Sequence, residues 1–547
     1  MSWIELYEPP AGDPSPLAAF PARAEVVRTI AARSFADLVI IGGGIHGATL
    51  ARCAAYQGIS TVLFEGADYA GATSSRSSKM AHGGLRYLEQ FDFRQVFEGI
   101  RAREDLFVSA SHLVRPHEFF IPVTAGDRWF RLKLGVGLFL YDLLVRDRNR
   151  RHRWVGPEGL PAGAPGVGGF IYWDGIMDDV RVVLENLIAA RQEGALCLNH
   201  APVDRTTLLE NGRVRVEWHD GLSGTSAHLE AGVVVNCAGP WAGTAGRAKP
   251  GQLARRLRFS QGSHLLFRTP WRGPARFLPL PERGRYYFVW PHPAGTLVGT
   301  TERELEEPPL DPEPTPDEVE ELLGRLRQDL PDSGLDRSTL HYAFAGVRSL
   351  PVRGVGRKTS RLSRRHRWVF QNGVLTLLGG KYTTAAWTAL EGLRTVYRLA
   401  RLGRRPVSLA RRPLPGAGDP SEFRQRAARF GASPAAVERC INRLGNLGRM
   451  FPEDPVWFEV LPGGILRGEV EFALAVEQAE SIEDLMRRHL GLEYLDGHGL
   501  ESLAAIAAIV RLRRPELDVD AQVAGYRSRL DQLHHRLGIP SAAQPGS

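Results

Sequence analysis

The feature that most constrains the fold is residues 37–65, DLVIIGGGIHGATLARCAAYQGISTVLFE. An apolar run at 38–41 predicts a buried strand. It is followed by a glycine-rich turn, a stretch of helical composition and a second apolar run at 61–64. Strand, turn, helix and strand in this order are typical of a parallel βαβ unit. The sequence therefore predicts an α/β domain built around this segment.

The turn carries three glycines in the G-x-G-x-x-G spacing: Gly42, Gly44 and Gly47. The first permits a tight turn, the second lets the backbone approach a pyrophosphate, and the third lets helix and strand pack closely. Glu65, an acid directly after the second strand, is placed to accept hydrogen bonds from a ribose. This context favours dinucleotide binding over the alternative, a tight βαβ turn without a ligand.

A hydroxyl-rich loop follows at residues 70–84. Its candidate ligands for phosphate or ribitol oxygens are Thr73, Ser74, Ser75, Ser77, Ser78 and Lys79. An ordinary polar loop has a similar composition, so that alternative stays open. The loop runs into HGGLRYL, which places His82, Arg86 and Tyr87 within one short segment. The paired glycines allow the backbone to lie flat against a planar group.

Two later segments are predicted to return to the same domain. The run VVVNCAGPWA at 233–242 is typical of a buried parallel strand that ends at a ligand-facing turn, with Gly239 in the turn. The run VLTLL at 374–378 predicts another strand, followed by a turn at Gly379 and Gly380 and by Lys381. Crevices at the carboxyl ends of parallel strands are where dinucleotides bind.

Between these segments the periodicity changes to two. QGSHLLF, RYYFVWP and TLVGTTE, within residues 255–305, predict antiparallel strands of a substrate domain. Thr315 and Glu318 form a capping box that predicts a helix to about residue 330. Beyond a proline-rich linker at 409–420, helices are predicted at 421–430, 434–444, 476–490, 500–512 and 519–537.

Charge and cysteine content limit the functional classes. The formal net charge is +8, which suits an anionic substrate, an anionic membrane surface or nucleic acid. The basic and aromatic residues are dispersed, which argues against a nucleic-acid stacking surface. The four scattered cysteines, Cys53, Cys197, Cys237 and Cys440, predict buried free thiols in a reducing compartment. No signal-peptide pattern and no membrane-spanning apolar run are found.

Residues 129–153 predict an apolar helix with basic flanks. Such a helix can lie in a membrane interface, and packing against the protein core is an equally good interpretation. The Tyr141-Asp142 pair interrupts the apolar run, which argues against a membrane span.

Basic residues from separate segments are candidates for one anion pocket. Arginine binds phosphate or carboxylate with a bidentate fork, and lysine binds as a point charge. The candidates are His82, Arg86, Arg348, Arg364 and Lys381. No metal-ligand spacing, nucleophile elbow or CxxC pair is present in the sequence, so hydrolase and metalloenzyme functions have no support.

These motifs together resemble the FAD-dependent glycerol-3-phosphate dehydrogenases of the aerobic, membrane-associated type. The resemblance extends from about residue 24 to about residue 535. It rests on DLVIIGGGIHGA, ATSSRSSKMAHGGLRYLEQFDFR, MDDVRVVLENL, VVNCAGPWA, QGSHLLF, GTLVGTTE, AGVRSL, SRRH and GGKYTT. The HGGLRYL segment with AGVR and GGK is more specific than the glycine fingerprint.

The resemblance implies oxidation of sn-glycerol 3-phosphate to dihydroxyacetone phosphate, with hydride passing from C2 to flavin N5 and electrons passing to a quinone. It implies catalytic roles for His82, Arg348 and Lys381, and substrate contacts from Arg86, Tyr87 and Arg364. It also implies a peripheral position on the cytoplasmic face of the inner membrane. A homodimer is a further expectation.

The implied fold is α/β: a Rossmann-like FAD-binding domain, an inserted antiparallel-sheet substrate domain and a C-terminal all-helical domain. We expect an N-terminal arm at 1–36 and the FAD-binding domain at 37–110, 170–255 and 345–405. The substrate-binding cap is expected at 111–169 and 256–344, and the helical domain at 412–547.

The sequence departs from the family pattern at two places, and two other functions are kept as alternatives. Ala385-Ala386-Trp387 stands where the family has Tyr-Arg, and Ser349 follows AGVR where the family has proline. One alternative is a related FAD-dependent oxidase that uses oxygen, acting on glycerol 3-phosphate or an amino acid. The other is a non-catalytic, flavin-bound membrane-docking protein.

Overall fold

The computed structural model describes residues 17, 20–84, 92–124, 126, 128–145, 147, 149–160, 166–246, 253–280, 285–352, 365–401, 403 and 405–540. The chain forms two large sheets, and the C-terminal helices share one apolar core with the second sheet and another with the helix Asp179–Gln192 and Phe20.

The strands in the described part of the chain are β1 (Phe35–Ile41), β2 (Thr61–Phe64), β3 (Met80–Ala81), β4 (Val114–Val123), β5 (Arg153–Val155), β6 (Gly168–Met177), β7 (Leu196–Leu198), β8 (Val203–Leu208), β9 (Val214–His219), β10 (Ser226–Asn236), β11 (Leu257–Phe267), β12 (Ala275–Pro279), β13 (Tyr286–His292), β14 (Gly295–Gly299), β15 (Arg303–Leu305), β16 (Leu340–Pro351), β17 (Arg367–Gln371), β18 (Val374–Leu378), β19 (Val460–Leu461) and β20 (Ile465–Leu466).

The α-helices in the same residues are α1 (Arg23–Ala31), α2 (Ile45–Ala55), α3 (Phe93–Ser109), α4 (Arg128–Asp142), α5 (Asp179–Gln192), α6 (Pro316–Asp329), α7 (Ala385–Leu399), α8 (Ser421–Arg429), α9 (Pro434–Leu444), α10 (Arg467–Ala475), α11 (Ile482–Asp484), α12 (Leu500–Arg513) and α13 (Val519–Leu537).

The first sheet has the strand order β17-β18-β10-β1-β2-β7. The pairs from β18 to β7 are parallel, and β17 is antiparallel to β18. In the register, Ile41 pairs with Phe64 on one side and with Asn236 on the other, so the carboxyl ends of three parallel strands meet at one edge. Helices α2, α5 and α7 cover one face through a shared apolar core, while α1 and the β8–β9 hairpin cover the other. This arrangement confirms the predicted Rossmann-like unit.

The second sheet has the order β15-β11-β14-β13-β12-β4-β6-β3, with β16 paired to β11 and β5 paired to β6. It was predicted to be antiparallel, and it is mixed: β12 pairs with β4 in parallel, Ala275 opposite Phe119. The very short β3 lies within the hydroxyl-rich loop at 70–84, directly after Lys79. That loop therefore crosses from the carboxyl edge of the first sheet into the second.

Helix α4 is shorter than the predicted helix over residues 129–153. It ends at Asp142, whose carboxylate accepts hydrogen bonds from the backbone N–H and Nδ1 of His152, at 3.0 and 2.6 Å. These contacts turn the chain back on itself after the helix. Within the residues that the structure describes, helices fall short of the length and hydropathy needed to cross a bilayer.

The C-terminal region is helical apart from the small β19–β20 ribbon. The prediction of one helix over residues 476–490 was wrong: α10 ends at Ala475, and helical structure resumes only at Ile482 with α11 and a π-helical turn. Gln478 in the gap has a φ of 58°. Its side-chain oxygen accepts a 2.7 Å hydrogen bond from the Tyr69 hydroxyl, so a contact with the segment after β2 replaces helical continuity.

The C-terminal helices share hydrophobic cores with the rest of the molecule. Residues of α10 to α13 lie in one cluster with the second sheet, and α8 and α9 cluster with Phe20 and with Ile188 of α5. The four cysteines are free and buried, as predicted. Burying apolar side chains between the C-terminal region, the second sheet and α5 stabilises their relative positions.

Candidate functional site

The glycine turn after β1 is closed by backbone contacts that leave no room for side chains. Gly42 has a φ of 107°, and a Cβ there would lie 2.7 Å from the Cys237 carbonyl oxygen. A Cβ on Gly47 would overlap the carbonyl oxygen of Gly42. Gly44 is the N-cap residue of α2. Bare backbone and the first N–H groups of α2 thus face one sheet edge, an arrangement that accepts a pyrophosphate.

Glu65 lies directly after β2 beside this turn. Its Oε2 accepts a hydrogen bond from the Gly43 N–H at 2.6 Å, and its Oε1 accepts one from the Ala67 N–H at 2.9 Å. Burial raises the pKa of Glu65, while these two hydrogen bonds oppose the rise. Glu65 therefore holds the turn in place, and its contact with a ribose stays a prediction.

Two hydroxyls of the loop at 70–84 bond within the first domain. Ser74 Oγ accepts a 3.0 Å hydrogen bond from the Ile45 N–H, the first amide of α2. Ser75 Oγ donates to the Ala72 carbonyl oxygen at 3.2 Å. The Ser74 contact partly satisfies the open amides at the helix start, because the first four N–H groups of a helix lack intrahelical partners.

Two further hydroxyls of this loop reach the second sheet. Thr73 Oγ1 donates to the Val347 carbonyl oxygen at 2.7 Å. Ser78 Oγ lies 3.0 Å from Nε2 of His264, on β11. The loop is thus fixed at both ends to the sheet that was predicted to carry the substrate.

Lys79, a predicted cofactor ligand, is buried in an ion pair. Its Nζ lies 2.6 Å from Asp179 Oδ1 at the start of α5, donates to the Ser75 carbonyl oxygen at 3.2 Å and stands 4.6 Å from the centre of the Tyr494 ring. Burial alone would lower the pKa of Lys79, but the Asp179 carboxylate raises it above the ordinary lysine value. The Lys79 ammonium group thus connects the loop at 70–84, helix α5 and the C-terminal region.

The turn after β18 packs against the end of β16 and against the start of α2. Gly379 has a φ of 67°, and a Cβ there would lie 2.6 Å from Pro351 Cδ and 3.3 Å from the Ser349 carbonyl oxygen. Gly380 has a φ of 127°, and its Cβ would overlap Nε2 of His46 on α2. Only glycines fit where this turn meets the end of β16 and the start of α2.

Gly239, the remaining predicted glycine contact, follows β10. It has a φ of 54° and open space where its Cβ would stand. Asn236 shapes this turn: its Nδ2 donates to the Ala242 carbonyl oxygen and its Oδ1 accepts from the Ala238 N–H, both at 3.0 Å. The turn lies at the same sheet edge as Gly42.

His82 is half-buried and directly follows β3. The next residue, Gly83, donates its N–H to Asp174 Oδ1 at 2.8 Å, and a Cβ on it would overlap the Tyr141 hydroxyl. Asp174 in turn forms a 2.8 Å ion pair with Arg103. A buried polar cluster therefore fixes the backbone next to His82.

Arg348 lies on β16, opposite Ser260 of β11. Its Nη2 donates to Thr300 Oγ1 at 2.9 Å. A Cβ on Gly262 would overlap that same Nη2, so the guanidinium lies across a strand position where only glycine leaves room.

The segment around Arg348 contacts the loop at 70–84 and the turn after β18. Val347, one residue before it, accepts the hydrogen bond from Thr73, and Ser349, one residue after it, contacts the Gly379 turn. The structure thus brings together three segments, and Thr73 in the first lies 274 residues from Val347 in the second.

Lys381 follows this turn and lies near the start of α3. The pKa of Asp92, the N-cap residue of α3, is lowered although partial burial acts against the shift; Gln95 donates hydrogen bonds to its carboxylate, and the charges of Arg365 and Lys381 add to the effect. Lys381 and Arg365 therefore lie close enough to act on one carboxylate.

Three predicted substrate contacts, Arg86, Tyr87 and Arg364, lie outside the described residues. Gly84 is the last described residue before Arg86 and Tyr87, and Arg365 is the first described residue after Arg364. Their roles stay predictions.

His264 is a site residue that the sequence reasoning did not single out. Its ring stacks on Phe344 at 4.9 Å, and its Nε2 faces Ser78. Burial, then the charge of Arg348, lowers the pKa of His264 to about 3, so the imidazole is neutral. The signal in the sequence is a histidine within the predicted strand QGSHLLF. The structure shows that this position is buried, where an apolar residue is expected.

A buried ionic network joins the site loop to the C-terminal region. Asp68, just after β2, pairs with Arg488 Nε at 2.5 Å and with His489 Nε2 at 3.2 Å. His489 Nδ1 also lies 2.8 Å from Glu477. Asp484 completes the group by pairing with Arg488. These side chains are almost completely buried, so each charge depends on its partners.

One group in this network has the composition of a metal site. Ligand atoms of Asp68, His200 and Asp484 lie within 4.8 Å of one another. Both carboxylates already pair with Arg488, and His200 Nε2 lies 3.1 Å from Asp484. The cluster is therefore a charge-balanced network of protein groups.

From this network we predict that the free energy of unfolding decreases at high pH. Burial alone would lower the pKa of His489, but Asp68 and then Glu477 raise it to about 9. A pKa raised on folding stabilises the protein fully below about 6.5 and loses that effect as the pH rises through 9. We expect a loss on the order of 2–3 kcal/mol between pH 6.5 and 10. Urea unfolding across this range measures it.

The matched variant for this pH effect is His489→Gln. It keeps a polar side chain but cannot titrate, so its unfolding midpoint should depend less on pH in this range. An identical slope in both proteins would contradict the assignment to His489.

Comparisons with known proteins agree with this geometry. A family model described as FAD dependent oxidoreductase matches residues 37–386. A glycerol-3-phosphate dehydrogenase from Synechocystis sp. is 29% identical over 91% of this chain and 96% of its own length. A D-erythritol 1-phosphate dehydrogenase from Brucella abortus is 32% identical over 83% of this chain and 93% of its own length.

A solved structure has the same fold. The X-ray structure of the glycerol-3-phosphate dehydrogenase from Bacillus halodurans, complexed with FAD, superposes with a TM-score of 0.72 at 22% identity. The match covers 94% of this chain and 97% of the other. The common architecture therefore extends through the C-terminal helices.

Proposed function

We propose that the chain oxidises sn-glycerol 3-phosphate to dihydroxyacetone phosphate. It belongs to the FAD-dependent oxidoreductase family and, within it, to the glycerol-3-phosphate dehydrogenases, of which the enzyme from Pseudomonas aeruginosa is 32% identical over 83% of this chain and 92% of its own length. FAD is the cofactor. When bound, it would supply the hydride acceptor for oxidation at C2 of the substrate. The protein supplies binding, orientation and charge.

The glycine turn and its neighbours fit this cofactor. The positions that a Cβ would fill at Gly42 and Gly47 leave the backbone bare at the start of α2, which suits the pyrophosphate. In this proposal Glu65 and the loop hydroxyls contact the nucleotide and ribitol parts, and Gly239, Gly379 and Gly380 line the flavin. Residues 37–110, 170–255 and 345–405 then form the cofactor domain.

The basic residues act on the substrate in this proposal. Arg348 binds beside the reacting hydroxyl, and Lys381 binds the phosphate together with Arg86, Tyr87 and Arg364. His82 takes the hydroxyl proton as C2 becomes a carbonyl carbon, so that hydride and proton leave by separate routes. Arginine forks and a lysine charge together favour a phosphate over an uncharged ligand.

The observation that carries the proposal is the position of the Val347–Arg348–Ser349 stretch. Its two outer residues touch the loop after β2 and the turn after β18. The arginine between these two contacts is therefore adjacent in sequence to the residues that contact both cofactor-domain segments, while its own guanidinium bonds Thr300, just after β14 of the second sheet. This position supports the proposed contact of Arg348 with the substrate hydroxyl.

The proposal is tested by measuring the visible flavin absorbance of the enzyme in the absence of oxygen, before and after a substrate is added. Glycerol 3-phosphate should bleach the visible flavin band, and glycerol, which lacks the phosphate, should not. Bleaching only by D-erythritol 1-phosphate would move the substrate to a longer polyol phosphate while keeping the chemistry. No bleaching by either would support the non-catalytic alternative.

The electron acceptor is proposed to be a membrane quinone. Mixing the substrate-reduced enzyme with a quinone analogue should restore the flavin band faster than air does. Fast reoxidation in air alone would instead favour an oxidase. Both outcomes leave the oxidation of the phosphorylated alcohol in place.

Helix α4 supports the proposed peripheral membrane attachment. Exposed apolar side chains recur at helical spacing along one face: Trp129, Leu132, Val136 and Phe139, continued by Leu143 after the helix end. Trp129 is 75% exposed and Leu143 is 66% exposed. Exposed basic residues flank this face: Arg128, Arg131, Lys133, Arg151 and Arg153. An apolar face with basic flanks matches an anionic lipid surface.

Replacing two of these side chains should weaken membrane binding. We expect Trp129→Ser with Phe139→Ser to lower the fraction that sediments with anionic vesicles several-fold, because the buried apolar area is lost. Leu310→Ser is the control, since Leu310 is 84% exposed but lies far from α4 in sequence. Equal binding of all three proteins would contradict the proposed surface. A change in oligomeric mass alone would make this face a contact between copies of the chain.

A further inference from the structure

We infer that His46 is a cofactor-binding residue whose imidazole Nδ1 donates a hydrogen bond to an oxygen of the ribityl-pyrophosphate chain of FAD. This assignment rests on FAD lying at the glycine turn. It adds an imidazole contact to a site otherwise formed by backbone groups, loop hydroxyls and Glu65.

The first step is the position of His46 in the fold. Gly44 is the N-cap of α2, Ile45 is its first residue and His46 its second. The backbone N–H of a residue in the first helical turn lacks an intrahelical partner, and the helix dipole favours an anionic group there. His46 is therefore within the turn that would hold a pyrophosphate.

The second step is the way the ring is held. Gly380 comes from the turn after β18, more than three hundred residues later, and a Cβ there would overlap His46 Nε2. Gly379, beside it, is itself pressed against Pro351. The imidazole therefore fills the space between two cofactor-site turns, and its Nε2 edge faces Gly380.

The third step is the unsatisfied atom. Nδ1 of His46 is buried and has no hydrogen-bond partner among the described residues. A buried ring nitrogen without a partner is uncommon, because leaving it unpaired costs the desolvation of the group. A bound molecule at the glycine turn is the nearest source of a partner.

The fourth step is the kind of partner. Burial, then the charge of His366, lowers the pKa of His46 to about 3. The ring is therefore neutral, and it offers one donor and one acceptor. Phosphate oxygens only accept hydrogen bonds, and the positive helix end attracts them. The tautomer with the proton on Nδ1 meets both conditions.

The test measures the rate at which FAD leaves the holoenzyme after dilution, followed by the fluorescence of released flavin. His46→Ala should raise this rate about ten- to a hundred-fold, the effect of one hydrogen bond to a charged group. His46→Asn should stay within about three-fold of the original protein, because its amide nitrogen stands where Nδ1 stands. His46→Gln, whose amide reaches the Nε2 position, should behave like the alanine variant.

The control is His366→Asn. His366 lies close enough to affect the pKa of His46, but its own Nε2 pairs with Glu391 at 2.8 Å on the surface. Its replacement should leave FAD release unchanged. The thermal unfolding midpoint of each FAD-free variant shows that the fold is intact.

The outcomes separate this inference from the proposed function. An unchanged rate for His46→Ala, or equal rates for His46→Asn and His46→Ala, would overturn the role of Nδ1. Failure of the original protein to retain FAD would instead overturn the cofactor assignment. Loss of substrate bleaching with normal FAD release would concern only the substrate site.

Discussion

Arg348→Ala is expected to reduce the rate of flavin reduction by glycerol 3-phosphate about 10²–10³-fold while the enzyme keeps its FAD, because in the proposed mechanism the lost group stabilises charge at the reacting hydroxyl. The guanidinium is fixed by the hydrogen bond to Thr300 Oγ1 and lies across Gly262. A donor held in place before the substrate arrives contributes more than a mobile one. Anaerobic mixing with glycerol 3-phosphate measures the rate.

Two further variants sharpen the Arg348 prediction. Arg348→Lys keeps the charge but loses the fork, so its rate should lie between those of the original protein and the alanine variant. Arg258→Ala is the control: Arg258 is exposed on β11, two residues from the partner of Arg348 in the register. It should reduce flavin at the normal rate. Release of FAD from Arg348→Ala would show that the residue supports the fold instead.

Asp68→Asn is expected to lower the free energy of unfolding by about 3–5 kcal/mol. The substitution keeps the shape of the side chain but removes the charge that faces Arg488 and His489. Both cations are buried, so water cannot replace the carboxylate. Breaking one partner of a buried ion pair leaves an uncompensated charge, which is why the cost exceeds that of a surface pair.

The matched control for Asp68 is Asp204→Asn. Asp204 also pairs with a histidine, His219 at 2.9 Å, but both side chains are exposed. Its replacement should cost about 0–1 kcal/mol. Urea unfolding followed by tryptophan fluorescence compares the two variants. Similar shifts in the unfolding midpoint would mean that the Asp68 network contributes no more than a surface pair.

Local signals in the sequence predicted local structure well. The strand at 61–64 has the observed bounds, and the capping box of Thr315 and Glu318 forms with both reciprocal hydrogen bonds. Glycine spacing located the turn at Gly42 because the backbone there requires a residue without Cβ. Each of these features depends on residues within a few positions of one another.

Contacts between distant segments could not be predicted in the same way. The sequence at 476–490 has helical composition, yet Tyr69 binds Gln478 and the helix is interrupted. Lys79 looked like a ligand for phosphate, and the structure pairs it with Asp179, one hundred residues away. Nothing near these residues in sequence indicates the partner, so periodicity and composition could not identify either contact.

The distance along the chain between Asp68 and Arg488 has a consequence for biosynthesis. The two residues that pair are 420 positions apart. At ordinary translation rates, roughly 20–80 s separate their emergence from the ribosome. During that interval the carboxylate of Asp68 stays hydrated and the loop beside the glycine turn has no C-terminal support. The cofactor pocket therefore matures late, when almost the whole polypeptide has been made.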